Sequence, residues 1–182
     1  VSRPDRKAGR GKAATPTPVS HYARSVELPL ITPGSWKDGT ALEEVRQIRS
    51  EVIVVASYGL LLPSELLRVP IHGVLNIHPS LLPAYRGPSP VVTAVLEGAG
   101  VTGVTVMELD EGLDTGPIVA QKEVRITESE SAEFLERRLF TLGAQILIET
   151  LPGWASGEIL GKKQVEAQAT YTRRFNKDDG QI

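Results

Sequence analysis

The sequence predicts an α/β domain of three layers built around a mainly parallel sheet. Residues 52–57 (Val-Ile-Val-Val-Ala-Ser) form a continuous apolar, β-branched run, the pattern of a strand buried on both faces. Leu135, Leu139, Leu142 and Ile146 keep a helical period. Between them, short apolar runs alternate with helix signals, which is how a layered α/β sheet is written. At 182 residues and 19.7 kDa the chain suits one domain.

The elements follow in order. Residues 3–20 carry Gly9-Arg10-Gly11-Lys12 and Thr15-Pro16-Thr17-Pro18 and read as an exposed loop. Residues 43–50 suit a short polar helix, and after the 52–57 strand Ser64 is placed to cap a brief helix through Leu67. Residues 74–78 (Val-Leu-Asn-Ile-His) read as a second strand. Four prolines stiffen residues 79–90, and Pro90 suits the first position of a helix running to Gly98. Residues 104–107 and 118–121 read as strands joined by an acidic, glycine-containing turn from Asp110 to Gly116. Thr127 and Glu130 offer a capping box for the strongest helix, which Pro152-Gly153 should stop. A weak strand is expected near residues 169–171.

Composition excludes several classes. With 41% apolar and 23% charged residues the chain is neither disordered nor collagen-like. No apolar run approaches the roughly 18–20 residues that span a bilayer, so no membrane partner is expected. The absence of cysteine removes disulfides, thiolate zinc sites and a cysteine nucleophile, and fits a reducing, cytoplasmic setting. Three histidines (His21, His72, His78) are too few for a histidine-rich metal site, and no metal is expected. The net charge of −2 conceals an asymmetry. Arg3, Arg6, Lys7, Arg10, Lys12 and Arg24 face only Asp5 within residues 1–24, a basic arm suited to an anionic partner or simply to solvent.

Asn76 and His78 stand two apart, so on a strand they share a face. Together they can donate hydrogen bonds to one developing oxyanion, and the imidazole can also move a proton. The plainer alternative is a strand end where both bond loop backbone. Asp114, between glycines at 112 and 116, offers a carboxylate near the same sheet edge. Beside His78 it favours the imidazolium; alone it is a solvated turn. An EF-hand, a Walker A loop, a dinucleotide fingerprint and a nucleophile elbow around Ser80 all fail on spacing. Residues 58–63 (Tyr-Gly-Leu-Leu-Leu-Pro) carry more apolar bulk than a turn needs, either lining a flat ligand's pocket or filling the core.

These residues resemble a known family. Asn76-Ile77-His78-Pro79-Ser80-Leu81-Leu82-Pro83, with Asp114 31 residues beyond Pro83 in Gly112-Leu113-Asp114-Thr115-Gly116, is similar to the folate-dependent formyltransferases. The basic opening at 3–12, Thr15-Pro16-Thr17-Pro18-Val19, and residues 56–63 and 102–107 resemble the branch of that family that formylates methionyl-initiator tRNA. The resemblance covers essentially the whole chain and implies a Rossmann-like formyltransferase fold, here without the first strand and helix usual in the family. It implies one catalytic domain over 1–182, with a basic tRNA-facing loop at 1–20 and a linker toward a further domain starting at 165–182.

The activity implied is transfer of the formyl group of 10-formyltetrahydrofolate, the co-substrate, to the α-amine of methionyl-initiator tRNA by a monomer. Asn76 and protonated His78 would stabilise the oxyanion, and Asp114 would keep His78 charged and help shuttle protons. Ser80, Leu81, Leu82 and Pro83 match a run contributing to the folate site. Tyr58, Gly59, Leu60, Leu61 and Leu62 match the loop against the pterin. Arg6, Lys7, Arg10 and Lys12 match a loop that approaches the tRNA acceptor stem, with Arg10 foremost. The alternatives are a formyltransferase acting on a small amine, a formyltetrahydrofolate hydrolase, and a folate- or tRNA-binding fragment without turnover.

Overall fold

The computed structural model describes residues 1–8 and 13–180, and the chain divides into two units. The first unit comprises Val1–Ser50 and Tyr58–Val69. Residues expected to form one exposed loop hold a short antiparallel hairpin, β1 (Arg6–Ala8) with β2 (Ala13–Thr15), followed by helix α1 (Pro18–Ser25). Thr17 explains the helix: its hydroxyl accepts the Ser20 N–H at 3.1 Å, and Pro18 sits in the first turn, where its missing N–H is harmless. Helix α2 (Thr40–Ile48) buries Ala41 and Val45 and ends on Arg49 in the left-handed region. The brief helix near 64 is a 3₁₀ turn, Ser64–Arg68, capped by Pro63 without a side-chain bond rather than by Ser64.

The second unit, Glu51–Ser57 and Pro70–Ile182, carries the sheet. Four strands, β3 (Ile53–Ala56), β4 (Val74–His78), β5 (Val101–Glu108) and β6 (Ile118–Arg125), lie side by side in sequence order. The α/β class is the one expected, but the sheet is mixed rather than mainly parallel. Only β3 and β4 run parallel; β4–β5 and β5–β6 are antiparallel. The 52–57 run, expected to be buried on both faces, is not: β3 alternates half-buried and exposed residues, with Val54 41% exposed. β5, by contrast, is buried on both faces as a central strand, and apolar character alone fixes neither burial nor strand direction.

Leu75 and Ile77 of β4 and Val104 and Val106 of β5 face helix α4 (Ala132–Ala155), meeting Leu135, Leu139, Ile146 and Leu147, with Val91 of helix α3 (Pro90–Leu96) joining them. Glycine at 143 lets α4 lie close on the sheet, because a Cβ there would overlap Ile77 Cγ2 and stand 2.9 Å from Val104 Cγ2. The cap of α4 is Ser131, whose hydroxyl accepts the Phe134 N–H, so the helix begins after the Thr127–Glu130 box. Glu130 still accepts the Thr127 N–H, and it also holds Arg138 at 2.8 Å. The helix passes Pro152 and ends three residues later; Ile148, whose carbonyl loses a partner to that proline, is exposed to water. The weak strand expected at 169–171 is reduced to one bridge, Arg86 with Tyr171. No helix among the described residues is long and apolar enough to cross a membrane.

Candidate active site

Because Leu75 and Ile77 face α4, alternation turns Asn76 and His78 to the opposite face of the sheet. There the chain leaving β4 folds back across β5. Ser80 is fully buried, its hydroxyl donating to Ala84 O at 2.7 Å. The Thr105 hydroxyl donates to Ser80 O at 2.6 Å and accepts the Leu82 N–H, while the Gln121 amide donates to Leu82 O at 2.8 Å. Ser80 and Leu82 are therefore sealed against the sheet, and Leu81 and Pro83 are the half-buried members of that run.

The fold-back delivers Tyr85, Arg86 and Gly87 to the end of β4. Tyr85 has φ +60°, and its carbonyl stands 3.0 Å from His78 Nε2. A left-handed aromatic residue costs about 1–3 kcal/mol, which the surrounding bonds must hold. The carbonyl only accepts, which places a hydrogen on Nε2. Nδ1 then faces Asp114 Oδ2 at 3.7 Å, with the His78 side chain 6% and the Asp114 side chain 14% exposed. Asp114 is itself left-handed at φ +54° and accepts the Gly87 N–H at 2.7 Å. Gly87 has φ +102°, and a Cβ there would press on Thr172 O and Oγ1 at 3.0 Å. The structure thus brings His78 and Asp114 together, with Asn76 beside them on the same strand face. Among the described residues, the half-buried Asn76 amide has no hydrogen-bond partner. The alternative in which Asn76 and His78 both tie down loop backbone holds only for His78.

Arg86, which no sequence motif announces, is the largest fully buried side chain among the described residues. Its Nε and Nη2 donate to Gln164 Oε1 at 3.1 and 2.9 Å, and its Nη1 donates to Glu166 Oε1 at 3.0 Å and the Tyr171 hydroxyl at 2.8 Å. Burial weakens the guanidinium's hold on its proton, but the bonds to Glu166 and Tyr171 outweigh it and raise the pKa overall. The bond from Arg86 holds the Glu166 carboxyl below the usual carboxylate range. Gln164 completes the network: its amide nitrogen donates to Asp114 O at 2.9 Å and Gly116 O at 2.7 Å. From 165 to Thr172 the chain is fastened to this unit, the Thr172 N–H donating to Arg86 O at 2.7 Å.

The remaining predicted residues lie in the first unit. Tyr58 is half-buried, with the Trp36 indole N–H donating to its hydroxyl at 3.2 Å and the rings packed edge-on. Leu60 and Leu61 are exposed, Leu61 at 95%, so a core role for them is excluded; Gly59 is exposed and Leu62 half-buried. Arg6 stands exposed on β1 and Lys7 follows it, whereas Arg10 and Lys12 lie outside the described residues.

Comparison with known proteins meets this site with a family. The family described as formyl transferase matches residues 1–151. The chain belongs to the formyl transferase family. Over 182 residues it is 46% identical to a methionyl-tRNA formyltransferase of Roseiflexus sp. (strain RS-1), an alignment that takes in 100% of this chain. The chain spans 56% of that relative's length. Among solved formyl transferases, it is similar to glycinamide ribonucleotide transformylase 1 from Symbiobacterium toebii, with a TM-score of 0.70 at 28% identity over 80% of this chain and 73% of that one. It also resembles the formyltransferase PseJ from Anoxybacillus kamchatkensis, with a TM-score of 0.65 at 25% identity over 85% and 79% of the two chains. That enzyme was solved with a UDP-linked formamido sugar and tetrahydrofolate.

Proposed function

We propose that the protein transfers the formyl group of 10-formyltetrahydrofolate to the α-amine of methionyl-initiator tRNA, as a monomeric cytoplasmic enzyme. The observation that carries this reading is Asn76 standing on one strand face with the His78–Asp114 pair, its side-chain amide without a hydrogen-bond partner among the described residues. The amine attacks the formyl carbon, forming a C–N bond and turning the carbonyl oxygen into an oxyanion. Asn76 and the His78 imidazolium stabilise that oxygen, and Asp114 stabilises the imidazolium. The bond to N10 then breaks, N10 gains a proton, the amine loses one, and tetrahydrofolate leaves. No covalent nucleophile is required; what the step requires is placement and an oxyanion site.

The same reading makes residues 1–182 one catalytic domain, with residues 1–20, which hold β1, β2 and the start of α1, as its tRNA-facing segment. Ser80, Leu81, Leu82 and Pro83 form part of the folate site, where the partly exposed Leu81 and Pro83 are the members suited to touch the ligand. Tyr58, Gly59, Leu60, Leu61 and Leu62 form the pterin-side loop, for which the exposed leucines supply apolar surface. The identity to relatives named for methionyl-tRNA supports the acceptor. A second reading, in which the acceptor is a small amine, is favoured by the glycinamide ribonucleotide and sugar enzymes among the structural neighbours.

The test is formyl transfer from 10-formyltetrahydrofolate to methionyl-initiator tRNA, run against glycinamide ribonucleotide and amino-sugar acceptors. Formylated tRNA alone supports the reading; formylation of a small amine without the tRNA replaces it. Neutralising Arg6, Lys7, Arg10 and Lys12 together is expected to weaken tRNA binding. The slope of log affinity against log salt should flatten by roughly 0.7–0.9 for each phosphate the variant no longer neutralises. An unchanged slope removes these residues from the tRNA interface.

A further inference from the structure

We propose that Arg86 and Gln164 are positioning residues for the His78–Asp114 pair, Arg86 by anchoring the loop that touches both members and Gln164 by fixing that loop to the one bearing Asp114. The inference rests on the functional reading above for the reaction through which it is measured.

Three consecutive residues carry the argument. Tyr85 places its carbonyl on His78 Nε2 at 3.0 Å, and Gly87 places its N–H on Asp114 Oδ2 at 2.7 Å. Arg86 lies between them with no exposed surface. Neither neighbour stands in a strand ladder, and both have positive φ, so nothing regular in the backbone holds them. Their hold comes from the segment around 164–172. Arg86 N–H donates to Thr170 O at 2.8 Å and its carbonyl accepts from Thr172 N, while Tyr85 N–H donates to Thr170 Oγ1 at 2.7 Å.

The side chains complete the clamp. Gln164 uses both ends of one amide: its oxygen accepts from Arg86 Nε and Nη2, and its nitrogen donates to Asp114 O and Gly116 O. One planar group therefore spans the two loops whose spacing sets the 3.7 Å between His78 and Asp114. Arg86 is engaged by Gln164, Glu166 and Tyr171, which identifies it as an anchor rather than a ligand-binding cation. Glu166 and Tyr171 stand at the solvent side of the same clamp, and the Arg86 guanidinium lies 5.6 Å from the Tyr171 ring centre.

The experiment uses the full-length natural protein, with steady-state formyl transfer and the His78 ring N–H signals in ¹H–¹⁵N spectra as its two readouts. Gln164→Ala is expected to fold, to lower kcat by about ten- to hundredfold, and to leave KM for 10-formyltetrahydrofolate within about threefold, because displacement of a catalytic group acts in the transition state. The His78 Nε2–H signal should move or broaden as the Tyr85 carbonyl loosens. Gln164→Glu keeps the oxygen toward Arg86 and loses the donor toward Asp114 and Gly116, and is expected to show a similar kcat loss with a smaller change at Nε2–H.

A folded Gln164→Ala with wild-type kcat and an unmoved His78 signal overturns the proposal, as does a loss confined to KM. Should Gln164→Ala not fold, Glu166→Gln combined with Tyr171→Phe trims the clamp from its solvent side. The same two readouts then decide: a kcat loss of about threefold or more with a moved signal supports the proposal, and wild-type values in both overturn it. If the wild-type protein formylates no acceptor while the clamp variants still move the His78 signal, the functional reading fails and the positioning role stands. If the wild type is active and the variants change neither readout, the positioning role alone falls.

Discussion

His78→Ala is expected to lower formyl transfer by about 10³-fold or more while leaving 10-formyltetrahydrofolate affinity within about threefold. The asymmetry follows from what the ring touches. Nε2 is occupied by the Tyr85 carbonyl at 3.0 Å, so the imidazole is held rather than loosely placed. Nδ1 faces Asp114 at 3.7 Å, longer than a hydrogen bond, so the carboxylate does not saturate that edge of the ring and an oxyanion beside the Asn76 amide can share it. An interaction made with charge that exists only in the transition state appears in kcat and not in binding. About three powers of ten corresponds to about 4 kcal/mol, within reach of one lost oxyanion donor plus a lost proton carrier. The deletion also leaves the Tyr85 carbonyl without its partner, so His78→Gln is the needed companion. Its amide can restore that bond but cannot carry the proton, and it should fold more stably than alanine without recovering transfer. Stopped-flow transfer rates beside equilibrium titration of folate separate the cases. Equal losses in rate and affinity would place His78 in ground-state binding instead.

What is legible from sequence follows from local rules. The strand at 74–78 appears as expected, and because side-chain period on a strand is two, the shared face of Asn76 and His78 follows from spacing alone. Pro90 at a helix start is equally local. What escapes depends on partners far along the chain. Arg86 is buried only because Gln164, Glu166 and Tyr171 arrive from 78 to 85 residues away, and no short pattern announces that an arginine has lost its water. The antiparallel pairing of β4 with β5 depends on the path between them, which a burial pattern does not record. The hairpin and helix inside the basic opening escape for another reason. Glycine and proline mark turns reliably, but strands of three residues leave too few positions for alternation to register. At the start of α4 the cap is Ser131, four residues past the expected Thr127, because its hydroxyl accepts the Phe134 N–H.

Gly143→Leu is expected to destabilise the protein by about 3 kcal/mol or more, against the trend that replacing a helical glycine gains about 1 kcal/mol. Position 143 faces Ile77 and Val104, which are 6% and 0% exposed, and neither can retreat into solvent. An added side chain must therefore push α4 off the sheet or force both residues from their rotamers. Gly143→Ala separates the two effects. With the first atom of the side chain already overlapping Ile77 Cγ2, alanine should still destabilise, and Ile77→Ala, itself costly in the core, should cost about 1 kcal/mol less in the Gly143→Ala background than in the wild type, a favourable coupling. Urea unfolding of the single and double variants measures this. A stabilised Gly143→Ala would mean that the helix can ride outward freely and that close approach is not what glycine provides. The consequence reaches the site, because Ile77 stands between Asn76 and His78 on β4. A strand displaced by helix overpacking carries both donors with it, and a shift near 1 Å is enough to cost about a hundredfold in rate. Gly143→Ala should accordingly lose kcat beyond what its unfolded fraction explains.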